Sequence, residues 1–243
     1  MKVEFTNNII HFKEVESTNL LALNFIKEND LQSSVVFTAD FQNFGRGQQS
    51  AKWESERGKN LLISIAIMPK MLIQCQFELS VNTSLAILDV LQYYNIKNTS
   101  IKWPNDIVVN SAKISGILIE NKLRKDKIIH SVLGIGLNVN QIEFKLFNRI
   151  ATSIKLESNS TFLIDEVRDV LLERLKIRFS NSSEENRENY LDKLYLKDRV
   201  AAFKVKGVIV NGIIKSVTSE GFLVVMLERE IRQFKMREII YLS

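Results

Sequence analysis

The chain has 243 residues, 45% apolar and 25% charged, with 2 Pro and 9 Gly, which excludes a disordered, collagenous or low-complexity polymer and leaves room for one large domain with a small companion. Its net charge of +5 is spread over interleaved acids and bases, so it argues for an ordinary solvated surface over a dedicated polyanion face. From the lone Cys75, an N-terminus without a basic segment leading into an apolar run, and the absence of any apolar stretch near the ~20 residues of a bilayer span, no disulfide framework, secretion signal or transmembrane helix is expected, and a reducing cytoplasm is the expected setting.

From the N-terminus, Glu16-Ser17-Thr18-Asn19 precedes Leu20, Leu21, Leu23, Phe25 and Ile26, a hydroxyl-rich start that predicts a helix from about Thr18 to Glu28. Val35 to Ala39 reads as a short buried strand, Gln42 to Gly58 as a polar loop, and Asn60 to Met68 as a strand. Phe77, Val81, Leu85, Leu88 and Leu91 recur at steps of three and four, which predicts an amphipathic helix ending near Tyr94. Short apolar strands follow at Ser100 to Trp103, Asp106 to Val109, Ile114 to Glu120 and Ile128 to Asn138, with Pro104-Asn105 and Asn110-Ser111 as turns. Neighbours of this kind favour an antiparallel or mixed sheet, hence an α+β fold. Leu163 to Phe179 and Glu184 to Leu194 read as helical. The pattern then changes at Asp198, the expected boundary between a domain of residues 1–197 and one of residues 198–243, the latter a small barrel of about four or five strands.

Several segments carry chemistry. In the loop Gln42 to Trp53, Gly45 and Gly47 flank Arg46; such glycines let consecutive N–H groups approach an anion, and the guanidinium offers a fork suited to carboxylate or phosphate. A flexible surface loop would have the same composition. Trp53 either packs on the core or stacks on a planar ligand. Lys102-Trp103-Pro104-Asn105-Asp106 is a polar turn between strands, and Lys113 stands at a strand end, either solvated there or pointing into a cleft. Gly134-Ile135-Gly136-Leu137-Asn138 sets glycines inside an apolar strand, a sign that another group approaches closely. His11 and His130 fall in none of these segments and are assigned no chemistry.

Taken in order, Glu-Ser-Thr-Asn, the Gly-Arg-Gly loop ending in Trp, Lys-Trp-Pro-Asn-Asp, Lys-x-x-Gly-Ile-Leu-x-Glu and Gly-x-Gly-x-Asn resemble the biotin–protein ligases over about Ile10 to Leu194, and Val200 onward is similar to that family's C-terminal barrel. The resemblance implies a class II synthetase-like sheet flanked by helices with an SH3-like barrel behind it, in the form without an N-terminal DNA-binding domain. It implies biotin and ATP as substrates, Mg2+ arriving with ATP, biotinyl-5'-AMP as the intermediate, and a biotin carboxyl carrier domain of a carboxylase as acceptor. No DNA or membrane partner is expected, and dimers through sheet edges are known in the family. By the same resemblance Ser17, Thr18, Asn19, Gln42, Gly45, Arg46, Gly47, Gln48, Lys113 and Gly116 would meet biotin. Arg46, Trp53, Lys113 and Asn138 would meet the nucleotide, and Lys113, Arg46 and Asp106 would carry the chemistry, with Asp106 orienting Lys113 or the magnesium ion. One departure stands out: Gln48, Gln49, Ser50 and Ala51 occupy positions where many members carry further arginines, so a looser hold on the adenylate is expected, with Lys52 restoring some charge. The rivals are a lipoate ligase or octanoyltransferase of the same superfamily, and a biotin-sensing regulator that ligates nothing.

Overall fold

A computed structural model describes residues 3, 5, 8–48, 51–144, 150–228 and 230–242. Its larger sheet has eight strands in the order β1 (Ile9–Phe12), β2 (Val35–Ala39), β3 (Asn60–Ile67), β8 (Lys127–Asn138), β7 (Ala112–Arg124), β6 (Asp106–Val109) and β5 (Thr99–Lys102), with β4 (Met71–Leu72) pairing on β8. Only β1 and β2 run parallel among these pairs, so the sheet is mixed and the α+β reading holds.

Helices cover both faces. β2 and β3 are buried along their whole length, and alternate side chains go to opposite sides of the sheet. Val35, Phe37, Ala66 and Val132 pack under Ala22 and Ile26 of α1 (Thr18–Glu28), while Val36, Ile63, Ile65 and Leu133 join the main core with α2 (Phe77–Tyr93) and α4 (Ile164–Ser180). The α2–α4 contact is fixed by Arg178, whose Nε and Nη2 donate to the Asp89 carboxylate at 2.6 and 2.7 Å. That carboxylate holds the Arg178 pKa above its ordinary value. The short helix α3 (Ile154–Ser158) and strands β1 and β4 have no counterpart in the sequence reading; each is too short for periodicity to mark.

After α5 (Ser183–Asp192) the chain enters a five-stranded antiparallel sheet, ordered β12 (Ile231–Phe234), β11 (Leu223–Leu227), β10 (Val208–Val217), β9 (Val200–Val205), β13 (Ile239–Tyr241), as an SH3-like unit requires. Lys206 and Gly207, both at positive φ (49° and 87°), make the tight β9–β10 turn. This second sheet is not free of the first. Trp103 Nε1 donates to the Gly221 carbonyl at 3.0 Å, and Phe203, Ile214 and Val225 share one continuous apolar cluster with Leu85 and Ile101.

Candidate active site

On the α1 face of the large sheet, a row of paired residues reads Leu62, Gly136, Gly116, Asp106 across β3, β8, β7 and β6, and the adjacent row reads Ser64, Gly134, Leu118. Glycines where neighbouring strands carry side chains leave a floor with no cover, and a cleft of about 750 Å³ opens there. What fills the remaining space explains the glycines. A Cβ on Gly134 would lie 2.0 Å from Asn19 Oδ1, and one on Gly136 would lie 2.3 Å from Trp53 Cε2. Gly116 is flanked by Trp53 Cζ3 and Lys113 Nζ, at 3.0 and 3.1 Å from such a Cβ.

Lys113 reaches this floor because of an irregularity in the sheet. Ile107 pairs with Ser115 but Val108 pairs with Lys113, so Ile114 is one residue too many. In a regular ladder Lys113 and Gly116 would point to opposite faces. The bulge puts Lys113, Val108, Asp106 and Gly116 all on the cleft side, while Ile114 is fully buried in the core. Lys113 Nζ then lies 2.6 Å from Asp106 Oδ1, with the two side chains only 24% and 11% exposed. It also stands 5.4 Å from the centre of the Trp53 ring. The backbone of Lys113 is held separately: its N–H donates to Ile150 at 2.8 Å and its carbonyl accepts from Thr152 at 2.9 Å.

At the other end of the cleft, Ser17 sits at the N-cap of α1 without capping it. The Thr18 N–H and hydroxyl both bond to Gln42 Oε1, at 2.8 and 3.1 Å, and the Ser64 hydroxyl lies 2.7 Å from Thr18 Oγ1 and 2.6 Å from Asn19 Oδ1. Asn19 Nδ2 donates to the Leu118 carbonyl and to Glu120 Oε2 at 3.2 and 2.9 Å. Asn19 is thus a strut satisfied by the protein itself, and Ser17, Thr18 and Gln42 are the groups of this end that face the cleft with capacity to spare.

The Gly-Arg-Gly loop folds back on itself as a flap. Trp53 N–H bonds to Gly45 at 2.9 Å, Gly47 N–H to Ala51 at 2.7 Å, and Arg46 bridges Lys52. Gly45 has no room for a side chain, since a Cβ would lie 2.3 Å from the Trp53 carbonyl oxygen. Arg46 and Gln48 line the cleft, but the guanidinium points to Glu120 Oε1 at 3.3 Å. Gln49 and Ser50 lie outside the described residues. Trp53 closes over the glycine floor, and its buried Nε1 has no hydrogen-bond partner among the described residues.

Sequence reasoning placed Asn138 against a nucleotide base. The structure puts it outside the cleft lining, with Nδ2 donating to the Thr152 carbonyl at 2.9 Å; it anchors the segment whose backbone grips Lys113. Sequence reasoning also missed the wall formed by Met236, Arg237 and Ile239 to Leu242, and the tyrosines beside Lys102, whose Nζ lies 5.3 and 5.0 Å from the ring centres of Tyr195 and Tyr241. No spacing signal links residues so far apart in the chain. Burial pushes the Tyr241 hydroxyl pKa well up, so it stays neutral.

Charge completes the picture. Arg46, Lys52, Lys102, Lys113 and Arg237 line the cleft, and Asp106 is the one carboxylate in the lining among the described residues. Such a surface suits a ligand with several negative charges at one end and a neutral, hydrogen-bonding head at the other. No group of three or more His, Cys, Asp or Glu among the described residues could hold a metal ion, and no helix there is long and apolar enough to cross a membrane.

Comparison with known proteins agrees with this geometry. Residues 11–138 match the model of the Biotin/lipoate A/B protein ligase family. The chain is 30% identical over 141 residues to the bifunctional ligase/repressor BirA of Bacillus spizizenii, covering 58% of this chain and 43% of that protein, and thus less than half of the relative's length. With BirA of Salmonella typhimurium it shares 25% identity over 240 residues, covering 96% of this chain and 74% of the relative. The structure of a biotin protein ligase from Aquifex aeolicus in complex with biotin and ATP superposes with a TM-score of 0.75 at 26% identity, over 97% of this chain and 98% of that one.

Proposed function

Since the chain belongs to the Biotin/lipoate A/B protein ligase family, we propose that it is a biotin–protein ligase that forms biotinyl-5'-AMP from biotin and ATP and passes the biotinyl group to a lysine of a carrier domain. The observation that carries this reading is the Lys113–Asp106 pair, 2.6 Å apart and largely withdrawn from water, on the floor of a cleft lined by further cations and by the neutral polar groups Ser17, Thr18 and Gln42. The Aquifex aeolicus structure named above is a biotin protein ligase in complex with biotin and ATP, which favours biotin over an open-chain lipoyl or octanoyl group.

In the first step the biotin carboxylate attacks the α-phosphorus of ATP and pyrophosphate leaves. Two anions must meet, and a cation fixed between them lowers the barrier most as charge builds on the phosphorus oxygens. Lys113 fills that role, with Asp106 orienting its ammonium. Arg46, on the flap, adds a second cation once it turns inward. Ser17, Thr18 and Gln42 satisfy the ureido head while Asn19 holds their frame, and Gly45, Gly47 and Gly116 let the backbone close on the acyl chain, with the Gln48 side chain beside it. Trp53 covers the adenylate, and Asn138 serves the nucleotide end by fixing the segment behind Lys113. A magnesium ion brought by ATP would add positive charge at the phosphates, and Asp106, which is paired with Lys113, would be the protein carboxylate to hold it. In the second step the acceptor amine attacks the acyl carbon, an amide forms, and AMP leaves.

We assign catalysis to a domain of residues 1–197, completed by the barrel of 198–243; the change of sheet at Val200 supports that division. A homodimer through a sheet edge is a further proposal, which sedimentation would test. Incubating the protein with ATP, labelled biotin and a biotin carboxyl carrier domain should label one lysine of the carrier. Binding of biotin without any transfer would favour the sensor reading instead.

A further inference from the structure

We infer that Glu120 is a positioning residue that parks Arg46 away from Lys113 while the cleft is empty and releases it when substrate arrives; this rests on the role given to Arg46 above. Glu120 lies on β7 on the same face as Gly116 and Leu118, and its side chain is 26% exposed. A carboxylate partly withdrawn from water gains from partners. Among the described residues it has two, on different elements: Oε2 accepts from Asn19 Nδ2 of α1 at 2.9 Å, and Oε1 accepts from Arg46 Nη2 of the flap at 3.3 Å. One carboxylate therefore ties the frame of the head-group end to the loop that must close over the ligand.

The Arg46 contact is made by a single nitrogen, and the arginine is 46% exposed, so the pair is weak and exchangeable. A carboxylate or phosphate in the cleft offers the same guanidinium two parallel hydrogen bonds in drier surroundings. The other charged side chains that line the cleft are mainly cations, Lys52, Lys102, Lys113 and Arg237. Glu120 thus gives Arg46 a resting partner that substrate must replace, and the free energy of the resting pair is subtracted from substrate binding.

Glu120→Gln separates the two contacts, because the amide oxygen still accepts from Asn19 while the charge that holds Arg46 is gone. In the empty protein, trypsin cleavage after Arg46 should rise about threefold or more, the scale of a partly exposed ion pair. The half-saturating biotin concentration for adenylate formation should fall by a similar factor with kcat unchanged. A loop merely loosened would move that concentration the other way. Glu120→Asp keeps the charge and should stay near wild type in both readings. Cleavage and half-saturation like wild type in Glu120→Gln, or a raised half-saturation, would overturn the inference. If the wild-type protein forms no adenylate at all, the proposed function fails, and the cleavage reading alone still decides whether Glu120 holds Arg46.

Discussion

Lys113 is placed by a sheet defect rather than by its own sequence neighbours. The motif around it marked the residue, yet its approach to Asp106 depends on the extra Ile114, and a register shift is a property of two strands that one segment does not reveal. In the proposed mechanism the ammonium acts mainly as the phosphorus is attacked, so Lys113→Ala should keep biotin affinity within about tenfold while adenylate formation falls by roughly a hundredfold or more. Titration calorimetry and pyrophosphate release at saturating biotin separate the two effects; near-normal turnover would remove Lys113 from the chemistry. Gly134 is a sharper steric test. A Cβ there meets Asn19 Oδ1 at 2.0 Å, and Asn19 is held by Ser64, Leu118 and Glu120. Gly134→Ala should therefore destabilise the fold by about 1–3 kcal/mol and weaken biotin binding. Urea unfolding with unchanged stability would show that Asn19 moves aside freely.

At the scale of elements, the longest helices and the buried strands were readable. Thr18–Glu28 and Val35–Ala39 form where the hydroxyl-rich start and the β-branched run place them, because their burial pattern is local. The flap was readable as a glycine-punctuated loop, but its hairpin closure was not, since Gly45 and Trp53 meet across eight positions without an apolar pattern. Biotin with ATP should slow trypsin cleavage at Arg46 and Lys52 by about tenfold or more if closure buries the flap; equal rates would show that the flap does not respond to ligand. Gln48 lines the cleft, and an arginine there would add a cation beside the adenylate phosphate, so Gln48→Arg should slow the release of biotinyl-adenylate in a rapid-dilution assay, and an unchanged rate would leave the glutamine without consequence. β8 carries a pH dependence of its own. Partial burial, with Lys122 across the ladder, lowers the His130 pKa below its ordinary value, so the native state favours the neutral ring. Stability is then full above about pH 6.5 and declines as pH falls through that range. Denaturant midpoints between pH 7 and 5 should fall more in the wild type than in His130→Gln.

For the whole molecule, the main surprise is that the barrel helps to build the cleft. Its last strand supplies Ile239 and Tyr241, and Trp103, in the turn that leads to Asp106, bonds to Gly221 of the barrel. The sequence showed the barrel as a separate run of strands, which is all that strand periodicity can show; docking depends on contacts between distant segments. Trp103→Phe keeps the packing and loses the hydrogen bond, so it should lower stability by about 1 kcal/mol and raise the KM for ATP more than that for biotin. Equal effects on both substrates would make the joint purely structural. The most direct test of the proposed chemistry is ATP–pyrophosphate exchange with and without biotin, in the wild type and in Lys113→Ala. Exchange that requires biotin and is lost with the lysine is expected; exchange independent of biotin, or undiminished in Lys113→Ala, would contradict it.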